Sequence, residues 1–104
     1  MTKENRTLNF DLAKKCLSEF LRNHRGDAAL RQVPLGEESL EGINKQERED
    51  LWFLGEWVLQ GNPSYFEAYW DYDYTETESI RLIVNIESKG NNYVVVDWRV
   101  EETF

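Results

Sequence analysis

Carboxylates and aromatic rings crowd one stretch of this chain, FEAYWDYDYTETES, which runs from Phe66 to Ser79 and contains five acids but no Lys or Arg. Carboxylates this close together in sequence suggest cation binding, and Asp71-x-Asp73-x-Thr75 begins like a calcium loop. Such a loop needs Gly at its sixth position and Glu at its twelfth, where this chain has Glu76 and Leu82. We therefore expect no metal site in this stretch.

The other reactive residues of the sequence give little indication of a catalytic site. Cys16 and His24 are the only cysteine and the only histidine. On one helix they would lie about 12 Å apart along the axis, whereas a nucleophile and its base must approach to about 3 Å. A pair of catalytic carboxylates needs two different environments, usually in a pocket, and the acidic stretch predicts a flat strand. No glycine-rich phosphate loop or nucleotide motif is present, so we expect neither a catalytic site nor a cofactor.

The charge of the chain is strongly divided along its length. Residues 1–31 contain seven Lys and Arg against four Asp and Glu, while residues 32–104 contain five against sixteen, which gives the net charge of −8. A negative field of this size repels nucleic acid phosphates and anionic lipid, and it attracts basic proteins and speeds encounter with them. We expect a basic protein partner, with no nucleic acid and no membrane among the binding partners.

Length and composition predict one cytoplasmic domain spanning residues 1–104. At 104 residues with 40% hydrophobic residues, the chain can bury a single core. A lone cysteine cannot form an intrachain disulfide. The start, MTKENRTL, has no apolar segment typical of a secretory signal, and the longest apolar runs are far shorter than a membrane span.

The elements that must position these residues begin with a helix. Phe10, Ala13, Leu17 and Phe20 follow helical spacing up to His24. Asn9 or Thr7 is placed to cap the helix start, and Gly26 is placed to end it. Cys16 falls on the apolar stripe and is expected to be buried. Residues 27–43 contain Pro34, Gly36 and Gly42 and favour a loop.

Residues 44–60 are ambiguous between helix and strand. Asn44 followed by Glu47 resembles a capping pair, and Leu51, Leu54 and Val58 keep helical spacing, so we favour a helix. The alternative is a buried strand over LWFLGEWVL that turns at residues 60–63, because Gly55 would lie inside the helix and its second half is apolar on nearly every side.

The last forty residues predict an antiparallel meander of three strands, or of four if residues 51–59 form a strand. Apolar and polar residues alternate over residues 65–74, 80–87 and 93–100, with a turn at Ser88–Asn92. The predicted fold class is therefore α+β, with one or two N-terminal helices packed on one face of the sheet.

Alternation divides these strands into a core face and an outward face. The rings of Phe66, Trp70, Tyr72 and Tyr74 fall on the core face, together with Val94, Val96, Trp98 and Val100. The outward face collects acids beside Tyr69, Ile83, Tyr93, Val95 and Arg99, with no balancing lysine, although cross-strand neighbours usually mix signs. We expect this face to bind a partner through Glu67, Tyr69, Asp71, Asp73, Glu76, Glu78, Tyr93 and Asp97.

In size, charge and surface chemistry the chain resembles the bacterial immunity proteins of contact-dependent and colicin-type toxin systems. The resemblance rests on YFEAYWDYDYTETE (65–78) and the acids of residues 37–50, covers about a third of the chain and includes no shared motif. It implies an inhibitor that occludes a basic, nucleic-acid-acting toxin, with carboxylates pairing to the toxin's Lys and Arg and with Tyr69 and Tyr93 as anchors.

Two other interpretations remain open. The first is a cone-shaped α+β domain that binds a small molecule or acts as an enzyme. It requires the strand assignment for residues 51–59 and a polar group such as Asp97 or Glu56 turned into a cavity between the rings of Trp52, Trp57, Trp70, Tyr72 and Trp98. The second is a structural or regulatory domain that forms a homodimer through an exposed sheet edge.

Overall fold

The computed structural model describes residues 8–24, 40, 46–48, 50–73 and 75–103. They form one helix and one antiparallel sheet of six strands, which confirms the α+β class, although the sheet has more strands than the three or four predicted. The elements are α1 (Phe10–Asn23), β1 (Glu47–Arg48), β2 (Leu51–Leu54), β3 (Trp57–Asn62), β4 (Tyr65–Asp73), β5 (Ser79–Lys89) and β6 (Asn92–Thr103).

Helix α1 begins where its sequence predicts. Asn9 is the N-cap, and its Oδ1 accepts hydrogen bonds from the backbone N–H groups of Asp11 and Leu12 at 3.1 and 3.2 Å. At the other end, His24 is the C-cap and its N–H donates to the carbonyl of Phe20. The predicted terminator Gly26 lies outside the described residues, as do Thr7 and Tyr74.

The sheet is a simple meander in which each strand pairs with its neighbours in sequence. Tight two-residue loops make this possible. Gly55 and Glu56 join β2 to β3 with φ of 63° at the glycine, and Gly90 and Asn91 join β5 to β6 with φ of 62°. Between β3 and β4, Asn62 Oδ1 accepts from the N–H groups of Ser64 and Tyr65.

The favoured helix over residues 44–60 is wrong. The alternative is right that residues 51–59 are extended, but they form two strands, β2 and β3, joined by a turn at Gly55 and Glu56, and not the single strand that it describes. Leu54 pairs with Trp57 across the tight turn, and Gly55 provides the positive φ that this turn requires. The two strands turn four apolar side chains toward the core, those of Trp52, Leu54, Trp57 and Leu59. The alternation of side chains in a strand therefore explains the apolar pattern better than helical spacing does.

One hydrophobic core fills the space between α1 and the sheet. Helix α1 contributes Ala13, Cys16, Leu17, Phe20 and Leu21, all buried. The sheet contributes the predicted core faces of β4, including Trp70, and of β5, together with Trp52 and Trp57, two tryptophans whose direction the sequence left open. The rings considered for a ligand pocket are therefore packed into the core or against it, with Tyr72 and Trp98 partly buried at its margin.

No helix within the described residues is long and apolar enough to cross a membrane.

A β-bulge in β6 overturns part of the predicted face assignment. Asn85 pairs with Asp97, but the next residue of β5, Ile86, pairs with Val95, so Val96 is an extra residue. The extra residue exchanges the two faces for the first part of β6. Tyr93 and Val95, predicted to point outward, instead pack against the core, and Val94 and Val96 are exposed.

Candidate functional site: the outward face of the sheet

The face of the sheet opposite α1 brings most of the predicted partner-binding residues together. We call it the outer face and define it by the outward-pointing side chains near the middle of β4, β5 and β6. Strand register aligns them in rows that run across the sheet. The members are Glu67, Tyr69, Asp71, Asp73, Arg81, Ile83, Asn85, Asp97, Arg99 and Glu101.

Tyr93 does not belong to this face. Its ring meets Phe66 edge-on at 5.2 Å between centroids, and its hydroxyl accepts a hydrogen bond of 3.4 Å from the N–H of Asn9. The predicted outward position of Tyr93 is therefore wrong, because the bulge at Val96 turns this part of β6 toward the helix. Its contacts join β6 to the core and to the start of α1.

Glu76 and Glu78 lie in the turn between β4 and β5, beyond the end of the outer face. The Oγ1 of Thr75 organises this turn by accepting hydrogen bonds from the N–H groups of Thr77 and Glu78 at 3.2 and 3.0 Å. Glu76 is exposed and Glu78 is half-buried. Both acids follow Asp73 closely and extend the negative charge of the face past its edge.

Arg81 balances the charge of one carboxylate on the outer face, that of Asp71. It lies directly opposite Asp71 on the neighbouring strand and forms two hydrogen bonds with it, Nε to Oδ1 at 2.7 Å and Nη2 to Oδ2 at 3.0 Å. The bond to Asp71 raises the pKa of Arg81, and partial burial opposes this shift. The predicted absence of cationic balance on this face is therefore wrong at Asp71.

The same guanidinium group covers Tyr69. Its central carbon lies 4.4 Å from the centroid of the Tyr69 ring, close enough for a cation–π contact. Tyr69 lies opposite Ile83, which is only 4% exposed even though it points away from the main core. Part of the Tyr69 ring is thus already engaged, which limits its use as a free anchor for a partner.

Two further ion pairs each join two residues of the same strand, one pair on β6 and one on β5. Arg99 Nε lies 3.0 Å from Glu101 Oε2 on the outer face, and Lys89 Nζ lies 3.1 Å from Glu87 Oε1 near the hairpin end. All of these groups are substantially exposed, so each pair contributes little stability. Their main effect is to confine the uncompensated negative charge to fewer positions.

Three carboxylates of the outer face form no ion pair with any described residue: Glu67, Asp73 and Asp97. The face carries five carboxylates and two guanidinium groups, and both guanidinium groups are held by other acids. The same face contains a shallow depression of about 280 Å³, which is lined by Asp71, Asp73, Ser79, Arg81 and Glu101. This arrangement suits the binding of cationic side chains.

Asn85 is a feature of the face that sequence reasoning missed. It lies between Glu67 on β4 and Asp97 on β6, it is only 7% exposed, and its Oδ1 has no hydrogen-bond donor in the described part of the chain. Its place in the alternation showed that it points outward, but only the strand register shows which carboxylates lie beside it.

Other kinds of site find little support in the described residues. They contain no group of three or more His, Cys, Asp and Glu side chains arranged to hold a metal ion. Asp97 and Glu56, which the cone-shaped alternative would turn into a cavity, are both exposed. His24 stacks on Phe20 and meets Trp98 edge-on, which agrees with its predicted place at the helix end.

Comparison with known proteins found no match: no family model matches the chain, and no curated protein and no solved structure matches it. The residues of the outer face are therefore the basis for proposing a function.

Proposed function

We propose that this protein binds a basic protein through the outer face of its sheet and inhibits it by occlusion, as immunity proteins do with their toxins. The observation that carries the proposal is a set of three carboxylates, Glu67, Asp73 and Asp97, that form no ion pair with any described residue, on a face whose guanidinium groups are already engaged. Lysine and arginine side chains of a partner would complete these pairs.

The charge of the whole chain supports the same partner class. A net charge of −8 accelerates encounter with a basic protein and repels competing nucleic acid. A partner that acts on nucleic acid presents lysine and arginine where phosphates would bind, because phosphate neutralisation dominates such binding. A carboxylate-rich face can occupy that surface in place of the nucleic acid.

The decisive experiment compares two triple variants with equal net charge. The face variant combines Glu67→Gln, Asp73→Asn and Asp97→Asn, and the control combines Glu19→Gln, Glu56→Gln and Glu102→Gln, which are exposed acids elsewhere. Each protein is immobilised and used to capture partners from the source cell at about 50 mM salt and at about 500 mM salt. Only the higher concentration reduces the electrostatic screening length well below 10 Å.

We expect the unmodified protein and the control to capture the same basic protein at low salt, and the face variant to bind it about tenfold or more weakly. The captured protein should lose its activity on nucleic acid at a one-to-one ratio. Equal binding by the face variant and the control would contradict the proposal, and so would capture that salt leaves unchanged.

A further inference from the structure

The centre of the outer face contains a row of four polar side chains on four adjacent strands. Gln60 lies opposite Glu67, Glu67 lies opposite Asn85, and Asn85 lies opposite Asp97. Directly opposed residues of antiparallel strands have Cβ atoms about 4.5–5.5 Å apart. Two carboxylates therefore flank one amide, and no described cation pairs with either of them.

The amide of Asn85 is costly to the free protein. The side chain is more than nine-tenths buried and its Oδ1 lacks a donor within the described residues. Buried polar atoms in folded proteins nearly always have a hydrogen-bond partner. An apolar residue would suit a position next to the buried Ile83 better, so the amide is best explained by a group that donates to it in a complex.

The neighbouring rows differ from this one in charge balance. Asp71 is held by Arg81, and Glu101 is held by Arg99. Among the described residues, only the row through Asn85 combines flanking carboxylates that lack a cation with an unsatisfied acceptor. We propose that this row is a socket for a single arginine side chain of the basic partner, an inference that rests on the proposed function.

A guanidinium group fits this row better than a metal ion does. Glu67 and Asp97 lie on strands separated by β5, which places their backbones about 9.5 Å apart. Calcium takes six to eight oxygen ligands at about 2.3–2.6 Å, whereas a planar guanidinium with five donors can reach both carboxylates and the amide. Asn85 Oδ1 is covered in the free protein, so binding requires a rotation of the Asn85 side chain that exposes this oxygen.

The probe for this socket is acetyl-arginine methylamide, titrated into the full chain and followed by the NMR signals of the Asn85 side-chain amide. We expect saturable shifts at Asn85, with binding weakened about tenfold by Glu67→Gln or by Asp97→Asn, because each removes a charged hydrogen-bond acceptor. Glu102→Gln is the matched control, since Glu102 is an exposed acid of β6 that does not belong to the outer face, and it should change the affinity by less than twofold.

Asn85→Val gives an independent measurement. It removes the unsatisfied oxygen, so the thermal midpoint should rise by a few degrees while saturable arginine binding is lost. A fall in the midpoint would overturn the inference, because it would show that the amide already makes a stabilising contact in the free protein.

Several results of the titration would also overturn the socket. These are shifts that do not saturate, equal weakening by Glu102→Gln, equally tight binding of acetyl-lysine methylamide, or saturation by calcium chloride at lower concentration. The proposed function fails separately: arginine binding at Asn85 without capture of a basic protein would refute only the inhibitor proposal, and capture without arginine binding would refute only the socket.

Discussion

Arg81 controls how much of the outer face another molecule can use. One guanidinium group holds both carboxylate oxygens of Asp71 and covers the ring of Tyr69. Two groups that the sequence offered to a partner are thereby partly occupied within the chain. The exposed pair itself adds at most about 1 kcal/mol to stability, so its main consequence is to leave Glu67, Asp73 and Asp97 as the carboxylates available to the proposed partner.

Cys16 illustrates the opposite case, a reactive group made inert by its surroundings. Burial, with a smaller contribution from the charge of Glu19, raises the pKa of its thiol to about 11. Because the thiolate is the reactive form, alkylation of the folded protein at pH 8 should be about a hundredfold slower than that of the unfolded chain. Iodoacetamide labelling with and without urea measures this ratio, and equal rates would contradict the burial.

The same shift affects stability in alkaline solution. The folded state holds the Cys16 proton more tightly than the unfolded state, whose thiol titrates near 9.0. The contribution of the neutral thiol is therefore complete below about pH 9 and is lost as the pH rises through about 11. Urea unfolding between pH 8 and 11 should show this loss, and Cys16→Ala should remove it.

At the scale of elements, the helix and the last three strands could be predicted because local signals agreed there. Asn9 caps α1 as expected, and the alternation in β4 and β5 gives the correct core face. Residues 51–59 could not be assigned so well, because Leu51, Leu54 and Val58 fit helical spacing by coincidence. The bulge at Val96 has no local signal, since it depends on how β6 meets β5.

The same limit applies to the site. The acids of β4 and their outward direction followed from alternation, but Tyr93 was assigned to the wrong face because a single extra residue reversed the pattern. The Asp71–Arg81 pair and the neighbours of Asn85 required the strand register, which the positions of the turns alone did not provide.

The hairpin of β3 and β4 depends on Gly61, which gives a sharp test of the sheet. Its φ is 134°, and a Cβ atom there would lie 2.7 Å from the carbonyl oxygen of Tyr65 and 2.9 Å from the Cα of Phe66. Gly61→Ala should lower the free energy of unfolding by about 2–4 kcal/mol, as measured by urea denaturation.

Gly90→Ala is the matched control for this test. Gly90 also has a positive φ, 62°, but nothing lies within 4 Å of the added methyl group. Backbone strain alone should then cost about 1 kcal/mol. Losses of equal size at the two glycines would mean that close packing at Gly61 contributes nothing.

At the scale of the whole molecule, two layers share one core, and the helix is secured mainly at β6. Phe20 is buried and its ring meets Trp98 edge-on at 5.6 Å, while the His24 ring packs against both of these rings. The helix thus closes the core side of the sheet and leaves the outer face open. A partner bound there need not disturb the core.

Phe20→Ala tests this attachment. Removing the ring leaves a cavity between the layers and should reduce the free energy of unfolding by about 3–5 kcal/mol. Val96→Ala, at a residue that is 46% exposed on the same strand, should change it by no more than about 0.5 kcal/mol. Chemical denaturation followed by tryptophan fluorescence measures both, and a loss below about 1 kcal/mol for Phe20→Ala would contradict the packing.

The connectivity of the sheet also governs the order in which the molecule can form. Each described strand joins its neighbour through a short connection, so the hairpins close with little loss of chain entropy. Helix α1 instead meets the final strand, where Asn9 and Tyr93 are 84 positions apart. During synthesis the side of the helix that contacts β6 must therefore stay uncovered until β6 has left the ribosome.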